Sequence, residues 1–341
     1  MEKAPKFAIV MTILLALLMI SCAGEKQPIP AAAVETVSPH GEKNLQAVSL
    51  LGESLYPPAP SRDFLDKYDR ARAEHEQNPD DADALIWYGR RAAYLGRYTE
   101  AITIFSDGID RFPQDARFLR HRGHRHISLR AFDLAVADFE KAAEMIKGKE
   151  DEIEPDGMPN AKNIPLSALH TNIWYHLGLA YYLKNDMPQA LRCYRQCLAA
   201  SKNDDMRVAT LHWLYMTLRR MGKKTEAQRV VRPVSADMEI IENQAYHELC
   251  LVYKGIKKIE ELTVKSDGDI MDDALAYGIG NWHYYNGGTD AAKTVFEKIT
   301  KGPTWASFGF IAAEADFQRF FFTPPGRCLE CHKDIKNRGL D

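Results

Sequence analysis

A thirty-four-residue interval between similar residues is the feature of this sequence that most constrains its fold. Gly89 and Gly123 are 34 positions apart, and the same interval relates several aromatic, small and proline residues. Those further pairs are Tyr98 and Phe132, Ala101 and Ala135, Phe105 and Phe139, and Pro79 and Pro113. A fixed period of this length predicts stacked copies of one small unit, because a single unit of that size cannot bury its apolar face alone.

The recurring residues resemble the signature of the tetratricopeptide repeat, a unit of two helices joined by a tight turn. The first copy covers residues 82–115. It carries the family's signature residues at Gly89, Gly96, Tyr98, Ala101, Phe105, Gly108 and Pro113. Small residues such as Gly89 would let the paired helices approach closely, and Phe105 would fill the space beyond them.

Further copies fit at 116–149, about 171–204, about 208–241 and about 273–306. The fourth copy is a weaker match and keeps Leu211, Leu214, Gly222 and Ala227. Residues 242–254 predict one additional helix, and 304–321 resembles a first helix without a complete partner. The resemblance covers roughly 65–322 and implies an all-α fold, a helical solenoid of about five helix pairs plus a terminal helix. Proteins of this family usually present a groove to another protein rather than perform chemistry.

A strongly basic stretch lies in the second copy. Residues 116–132, ARFLRHRGHRHISLRAF, contain five arginines, three histidines and no acidic residue. The repeat register would place one side of this helix on the concave surface, together with residues from the neighbouring copies. We therefore predict a partner-binding surface made by Arg90, Arg117, Arg120, His121, His124, Tyr175, His212 and Arg219. Its charge suits an acidic peptide or a protein carboxylate, because arginine binds carboxylates through two parallel hydrogen bonds.

Two other interpretations of the basic stretch stay open. The insertion between the second and third copies contains Glu150, Asp151, Glu152, Glu154 and Asp156, and it could fold back onto the arginines. Arg122 stands where the repeat usually has an apolar residue, so part of the cluster could be structural. A metal site at His121, His124 and His126 is poorly supported, because His126 would point away from the other two on a helix.

The first 22 residues predict export and lipid attachment. A basic start is followed by an apolar stretch, Phe7 to Ile20, that is too short to span a bilayer comfortably and is typical of a signal peptide. Met19-Ile20-Ser21-Cys22 resembles the lipobox of bacterial lipoproteins. That resemblance implies a lipid-modified Cys22 and attachment to the bacterial cell envelope, with Ala23 favouring the outer membrane. An ordinary signal peptide cut nearby and an uncleaved anchor are the alternatives. Residues 23–60 are rich in Ala and Pro and predict a linker between the membrane and a solenoid at 61–322. Packing of the Pro-rich segment near LYPPAP on the first repeat is the alternative.

The tail, residues 323–341, contains the motif Cys328-Leu329-Glu330-Cys331-His332. This spacing resembles the haem-attachment motif of c-type cytochromes. The resemblance implies one covalent haem c, with thioether bonds to Cys328 and Cys331 and with His332 as the iron ligand. Only nine residues follow His332, none of them His or Met, so a sixth ligand would come from elsewhere. A disulfide, a zinc half-site or a remnant of a longer cytochrome are the alternatives.

Two further groups of residues, a pair of cysteines and four terminal phenylalanines, have structural interpretations. Cys193 and Cys197, four apart on a predicted helix, are expected to be buried thiols, because their side chains run parallel and disfavour a disulfide. The aromatic residues Phe317, Phe320, Phe321 and Phe322 could form a wall for the haem or could cap the last repeat.

The sequence also excludes some classes of function. We find no matched acid, base or nucleophile, so an enzyme is not expected. With a net charge of −3, nothing global indicates nucleic-acid binding.

We therefore expect a membrane-tethered scaffold that binds a protein and carries one haem, with docking or assembly in an extracytoplasmic electron-transfer complex as its function. Two other functions stay open. One is a haem-free scaffold whose terminal cysteines are structural. The other is a haem enzyme or sensor with an open iron site.

Overall fold

The computed structural model describes residues 44–262 and 270–322. Cys22, the signal peptide, most of the predicted linker and the tail with Cys328, Cys331 and His332 lie outside these residues, so the predictions made for them stay predictions. Within the described ranges, no helix combines the length and the apolar character needed to cross a membrane.

Thirteen α-helices provide nearly all the regular structure of the described residues. They are α1 (Arg62–Gln77), α2 (Ala82–Tyr94), α3 (Tyr98–Arg111), α4 (Ala116–Ser128), α5 (Phe132–Met145), α6 (Leu169–Leu183), α7 (Met187–Ala200), α8 (Asp204–Arg220), α9 (Lys224–Val230), α10 (Gln244–Lys254), α11 (Ile270–Tyr285), α12 (Thr289–Thr300) and α13 (Phe308–Phe320). Five antiparallel pairs follow one another: α2 with α3, α4 with α5, α6 with α7, α8 with α9, and α11 with α12. This arrangement confirms the predicted all-α solenoid.

Glycine and an aromatic residue hold four of the five pairs together. In the first repeat, a Cβ added to Gly89 would lie 2.5 Å from the Phe105 ring, so only glycine fits this contact. The same contact recurs sixteen positions apart in three other repeats, between Gly123 and Phe139, Gly178 and Tyr194, and Gly280 and Phe296. The fourth repeat has Tyr215 and Val231 at these positions, and its second helix, α9, has only seven residues. Its weak sequence match therefore corresponds to a shortened pair.

The turn inside each pair requires one residue with a positive φ angle. Four repeats place glycine or asparagine there: Gly96, Asn185, Gly222 and Gly287. The second repeat has Arg130, with φ of 63°. A long side chain in this left-handed conformation is unfavourable by about 1 kcal/mol or more, so it persists only where other contacts hold it. Those contacts, described below, are with the C-terminal helix.

The C-terminal helices turn inward and cover the surface formed by the first helices of the repeats. On α11, the Tyr277 hydroxyl lies 2.8 Å from the Tyr182 hydroxyl of α6. On α13, the Phe308 ring lies 5.1 Å from His124 of α4 and 5.4 Å from His176 of α6, between ring centroids. The chain therefore fills part of its own concave surface, instead of leaving it open along its whole length.

The segment before α1 also packs against the C-terminal helix. Residues 47–48 and 54–55 form a small antiparallel hairpin, β1 (Ala47–Val48) and β2 (Ser54–Leu55). In the loop between these strands, the Leu50 N–H donates to Glu314 Oε1 (3.1 Å), and Gln318 Nε2 donates to the Leu50 carbonyl (2.7 Å). Part of the predicted linker therefore packs on the domain: Leu50 binds α13, the Tyr56 carbonyl accepts a hydrogen bond from Trp305 Nε1 at 2.7 Å, and Pro57 lies against Gly96 of the first repeat.

Candidate functional site

We call the surface formed by α2, α4, α6 and α8 the first-helix face. The insertion between the second and third repeats covers its basic centre. Glu154 is buried and lies 2.8 Å from Arg120 Nη2, and its other oxygen lies 3.8 Å from His121 Nε2. Of the five acidic residues in the insertion, Glu154 is the one that reaches the arginines. This confirms, for Arg120, the alternative that the insertion folds back.

Two of the predicted histidines lie in an aromatic cluster instead of facing a groove. His121 is buried and stacks on Phe105, with ring centroids 5.3 Å apart. The His124 ring lies 4.6 Å from His176. Burial, reinforced by neighbouring arginines, holds the pKa of His121 and His124 well below the usual range and lowers that of His176 to about 3. The three rings are therefore neutral in the folded protein near pH 7.

Helices α10 and α11 cover the third and fourth repeats. Tyr175 is buried, with its hydroxyl 3.4 Å from that of Tyr246, and His212 is fully buried against Tyr246 and Tyr253. Arg219 donates to Asn286 Oδ1 at 2.7 Å and lies over the Tyr285 ring. These three predicted partner-binding residues therefore contribute to the packing between helices.

The two remaining predicted residues lie at the edge of the covered region. Arg90 donates to the Pro155 carbonyl at 2.9 Å and lies 4.2 Å from the Trp87 ring. Arg117, with 31% of its side chain exposed, binds the carboxylates of Asp115 and Asp83. Arg90 and Arg117 thus keep partial exposure, but both already have partners within the chain.

The prediction of an exposed basic groove is therefore wrong for Arg120, His121, Tyr175 and His212, because the insertion and the C-terminal helices cover them. The structural interpretation of Arg122 is confirmed. Its guanidinium binds both oxygens of Asp138, at 2.7 and 2.8 Å. Among the described residues, no three His, Cys, Asp or Glu side chains lie close enough to bind one metal ion. His121, His124 and His126 therefore do not form a metal site.

Two buried ion pairs fix α13 on the first-helix face, and neither was predicted. Arg130 Nε binds Glu314 Oε2 at 2.8 Å, with 3% and 1% of the two side chains exposed. Arg220 binds Asp316, with 5% and 2% exposed, and Tyr277 donates to the same carboxylate at 2.8 Å. The signal in the sequence was two acids inside the otherwise apolar stretch FGFIAAEADF, together with an arginine at the turn position of the second repeat.

The N-terminal end of the first-helix face stays open. A cleft of about 500 Å³ lies between α1 and α2. Trp87 forms part of its wall, partly exposed and flanked by the guanidiniums of Arg90 and Arg91 at 4.2 and 4.8 Å. Lys67, Arg70, Glu74 and Asp83 surround it with both signs of charge. An exposed tryptophan in a charged cleft is a typical anchor for a protein partner.

The cysteines and the aromatic end of α13 can be placed as well. Cys193, Cys197 and Cys250 are buried free thiols, as predicted for the first two.

At the end of α13, Phe320 stacks on Tyr284 with ring centroids 4.6 Å apart, and Phe321 contacts Phe296 and Phe317. These contacts support the capping role for the phenylalanines, whereas Phe322 is 38% exposed.

Models of the tetratricopeptide repeat match residues 65–116, 89–150 and 171–204. Among solved structures, the chain is similar to YrrB, a TPR protein with an unusual peptide-binding site, with 14% identity, coverage of 73% of this chain and 98% of that one, and a TM-score of 0.40. A putative kinesin light chain from Podosopora anserina with nearly identical TPR-like repeats gives 14% identity, 74% and 98% coverage and a TM-score of 0.38. No curated protein sequence is significantly similar to the chain.

Proposed function

We propose that this protein is a lipid-anchored scaffold of the bacterial cell envelope that binds a protein through its TPR domain and carries one c-type haem on its tail. The observation that carries the proposal is the C-x-x-C-H motif, which begins eight positions after a helix fixed by two buried ion pairs. A group attached there would be tethered to a rigid body. Docking a partner on that body would keep the haem close to the partner.

The residues of the tail fit a haem in their donor chemistry. Cys328 and Cys331 would hold it by thioethers, and His332 would ligate its iron. The other cysteines of the described ranges are buried, so they offer no accessible thiol to pair with the tail. When bound, the haem supplies one-electron transfer. The protein would contribute the tether, and the TPR domain would contribute the docking surface.

The partner surface that we propose is the open cleft between α1 and α2. Trp87 would anchor the partner, and Arg91, Lys67 and Arg70 would orient an acidic segment of it. The insertion lies beside this cleft, because Arg91 Nη1 donates to the Gly157 carbonyl at 3.1 Å. Trp87→Ala should weaken capture of a cross-linked partner while leaving the helical signal of the domain unchanged. The matched control is Trp174→Ala, on α6.

Lipid attachment at Cys22 is the third part of the proposal. Cys22→Ala should abolish labelling by a fatty-acid probe and release the protein from membranes, because acyl chains provide the anchor. Cys193→Ala, which removes a buried thiol, should leave labelling intact. Membrane association that is unchanged in Cys22→Ala would overturn the lipoprotein assignment.

A haem stain separates the haem-bearing scaffold from the haem-free one. The full chain, expressed with a cytochrome c maturation system, should retain haem in a denaturing gel. Cys331→Ala should remove the stain without changing helicity, whereas Cys193→Ala should retain it. A chain that matures without covalent haem would leave only a TPR scaffold.

A further inference from the structure

One arginine of the second repeat, Arg125, lacks an anionic partner among the described residues. Arg125 is only partly exposed, and within the described structure its guanidinium has no carboxylate or carbonyl to bind; it lies 5.1 Å from the centre of the Tyr98 ring. Its neighbour Arg120 binds Glu154 through Nη2, but the buried Nε of Arg120 has no hydrogen-bond acceptor. Of these two arginines, Arg120 alone has a carboxylate partner among the described residues.

Side chains of repeat one and of the C-terminal segment enclose this group. The Tyr98 ring meets Trp305 edge-on, with centroids 5.4 Å apart, and His124 lies 5.1 Å from Phe308. Arg90 approaches from α2 and donates to the Tyr94 hydroxyl at 3.3 Å. Since α13 and the insertion cover the surrounding surface and Arg125 is only partly exposed, the ligand that we consider is a small solute instead of a peptide.

Electrostatics supports the need for a counter-ion. Burial, together with the positive charges of Arg120 and Arg90, lowers the pKa of Arg125 to about 10, although the hydroxyls of Tyr98 and Tyr94 oppose the shift. A cation held in such surroundings is stabilised strongly by an anion, because the local dielectric is low and arginine offers two parallel donors.

We propose that Arg125, with Arg120 Nε and His124, forms a binding site for the oxyanion group of a small molecule, either a phosphate or a carboxylate. The site is independent of the proposed protein-binding cleft and of the haem. Arg125 would bind the oxyanion through its planar fork. The Arg120 Nε–H and the neutral His124 ring would donate further hydrogen bonds, and Tyr98 would form the wall.

Thermal unfolding of the full chain tests the proposal directly. The buffer is an amine with chloride as its counter-ion, so that it contains no oxyanion, at low ionic strength. Inorganic phosphate and succinate are titrated separately, with sodium chloride at matched ionic strength as the reference. The wild type should show saturable stabilisation by at least one of the two anions, since a ligand that binds only the folded state raises its stability by mass action. The two titrations distinguish a phosphate ligand from a carboxylate ligand.

Arg125→Gln should weaken the apparent affinity at least about tenfold, the loss expected for a charge-assisted hydrogen bond. The matched control is Arg207→Gln on the exposed side of α8, which should respond as the wild type does. If Arg125→Gln does not fold, Arg125→Lys keeps the positive charge but lacks the planar guanidinium with its two parallel N–H donors. This variant should still bind the anion several-fold more weakly than the wild type does. No saturable effect of either anion on the wild type, or an unchanged response of the Arg125 variants, would overturn the proposal.

Discussion

The two ends of the first-helix face differ in what covers them. At the N-terminal end, between α1 and α2, the surface is open, and Trp87 and the charged side chains beside it contact solvent. Further along, α10, α11 and α13 cover α4, α6 and α8, with Arg130 and Arg220 buried against acids of α13. The same repeat architecture therefore provides a docking surface at one end and a binding site for its own C-terminal helix at the other.

The largest effect is expected where a buried ion pair is broken from the α13 side. Asp316→Ala leaves Arg220 buried without its carboxylate and removes the acceptor of the Tyr277 hydroxyl. Loss of one partner of a buried pair lowers the free energy of unfolding by about 3–5 kcal/mol. Urea denaturation measures this loss. The control is Glu144→Ala, an exposed residue of α5, which should change stability by less than about 0.5 kcal/mol. Equal losses of stability at the two sites would contradict the claim that α13 covers the first-helix face.

The turn position of the repeat allows a matched pair of substitutions. Arg130→Gly relieves the left-handed backbone but leaves Glu314 buried without its arginine, so the unfolding free energy should fall by about 2–3 kcal/mol. Asn185→Gly changes the equivalent residue of the third repeat, where the side chain is exposed, and should be neutral within about 0.5 kcal/mol. If Arg130→Gly is also neutral, Arg130 does not fix α13.

Acid should destabilise the covered end through its buried histidines. Burial lowers the pKa of His212 to about 3, below the value of about 6.5 for an unfolded chain. The unfolded state therefore binds an additional proton as pH falls below about 6.5, and stability decreases from there towards pH 3. At pH 5 this single group lowers the unfolding free energy by about 2 kcal/mol relative to pH 7.

His212→Phe should reduce the slope of stability against pH between about 6.5 and 4 by one proton, as measured by urea denaturation at several pH values. The control is Asn286→Ala, a change of an exposed residue nearby that does not titrate. An unchanged slope in His212→Phe would show that His212 is already protonated in the folded protein, which is inconsistent with its burial.

The smallest effect on stability is expected at Arg117, near the open N-terminal end of the first-helix face. Arg117 is 31% exposed, and its pairs with Asp83 and Asp115 are screened by solvent. Arg117→Ala should therefore lower the unfolding free energy by no more than about 1 kcal/mol. Arg120→Ala, three residues along the same helix, should have a clearly larger effect because it leaves Glu154 buried and unpaired. Reversal of this order would mean that the insertion does not cover Arg120.

The fold could be predicted from local rules, and the covering of the first-helix face could not. Contacts inside one helix pair, such as that between Gly89 and Phe105 and those at the turn glycines, recur with a period that is visible in the sequence. The pairs Arg130–Glu314 and Arg220–Asp316 join residues 184 and 96 positions apart, and no periodicity encodes them. The predicted partner-binding residues share a helix face, but which other helix lies on that face depends on the path of the whole chain.

Native-state hydrogen exchange of α13 tests the central claim, that this helix is an integral part of the folded domain. If α13 is fixed on the first-helix face by its ion pairs with Arg130 and Arg220, its amides should exchange at rates within about tenfold of those of α6 in the wild type. In Asp316→Ala, the amides of α13 should exchange much faster, while those of α2 and α3 change little. An α13 that exchanges in the wild type as fast as an exposed terminal helix, while α6 stays protected, would contradict the account.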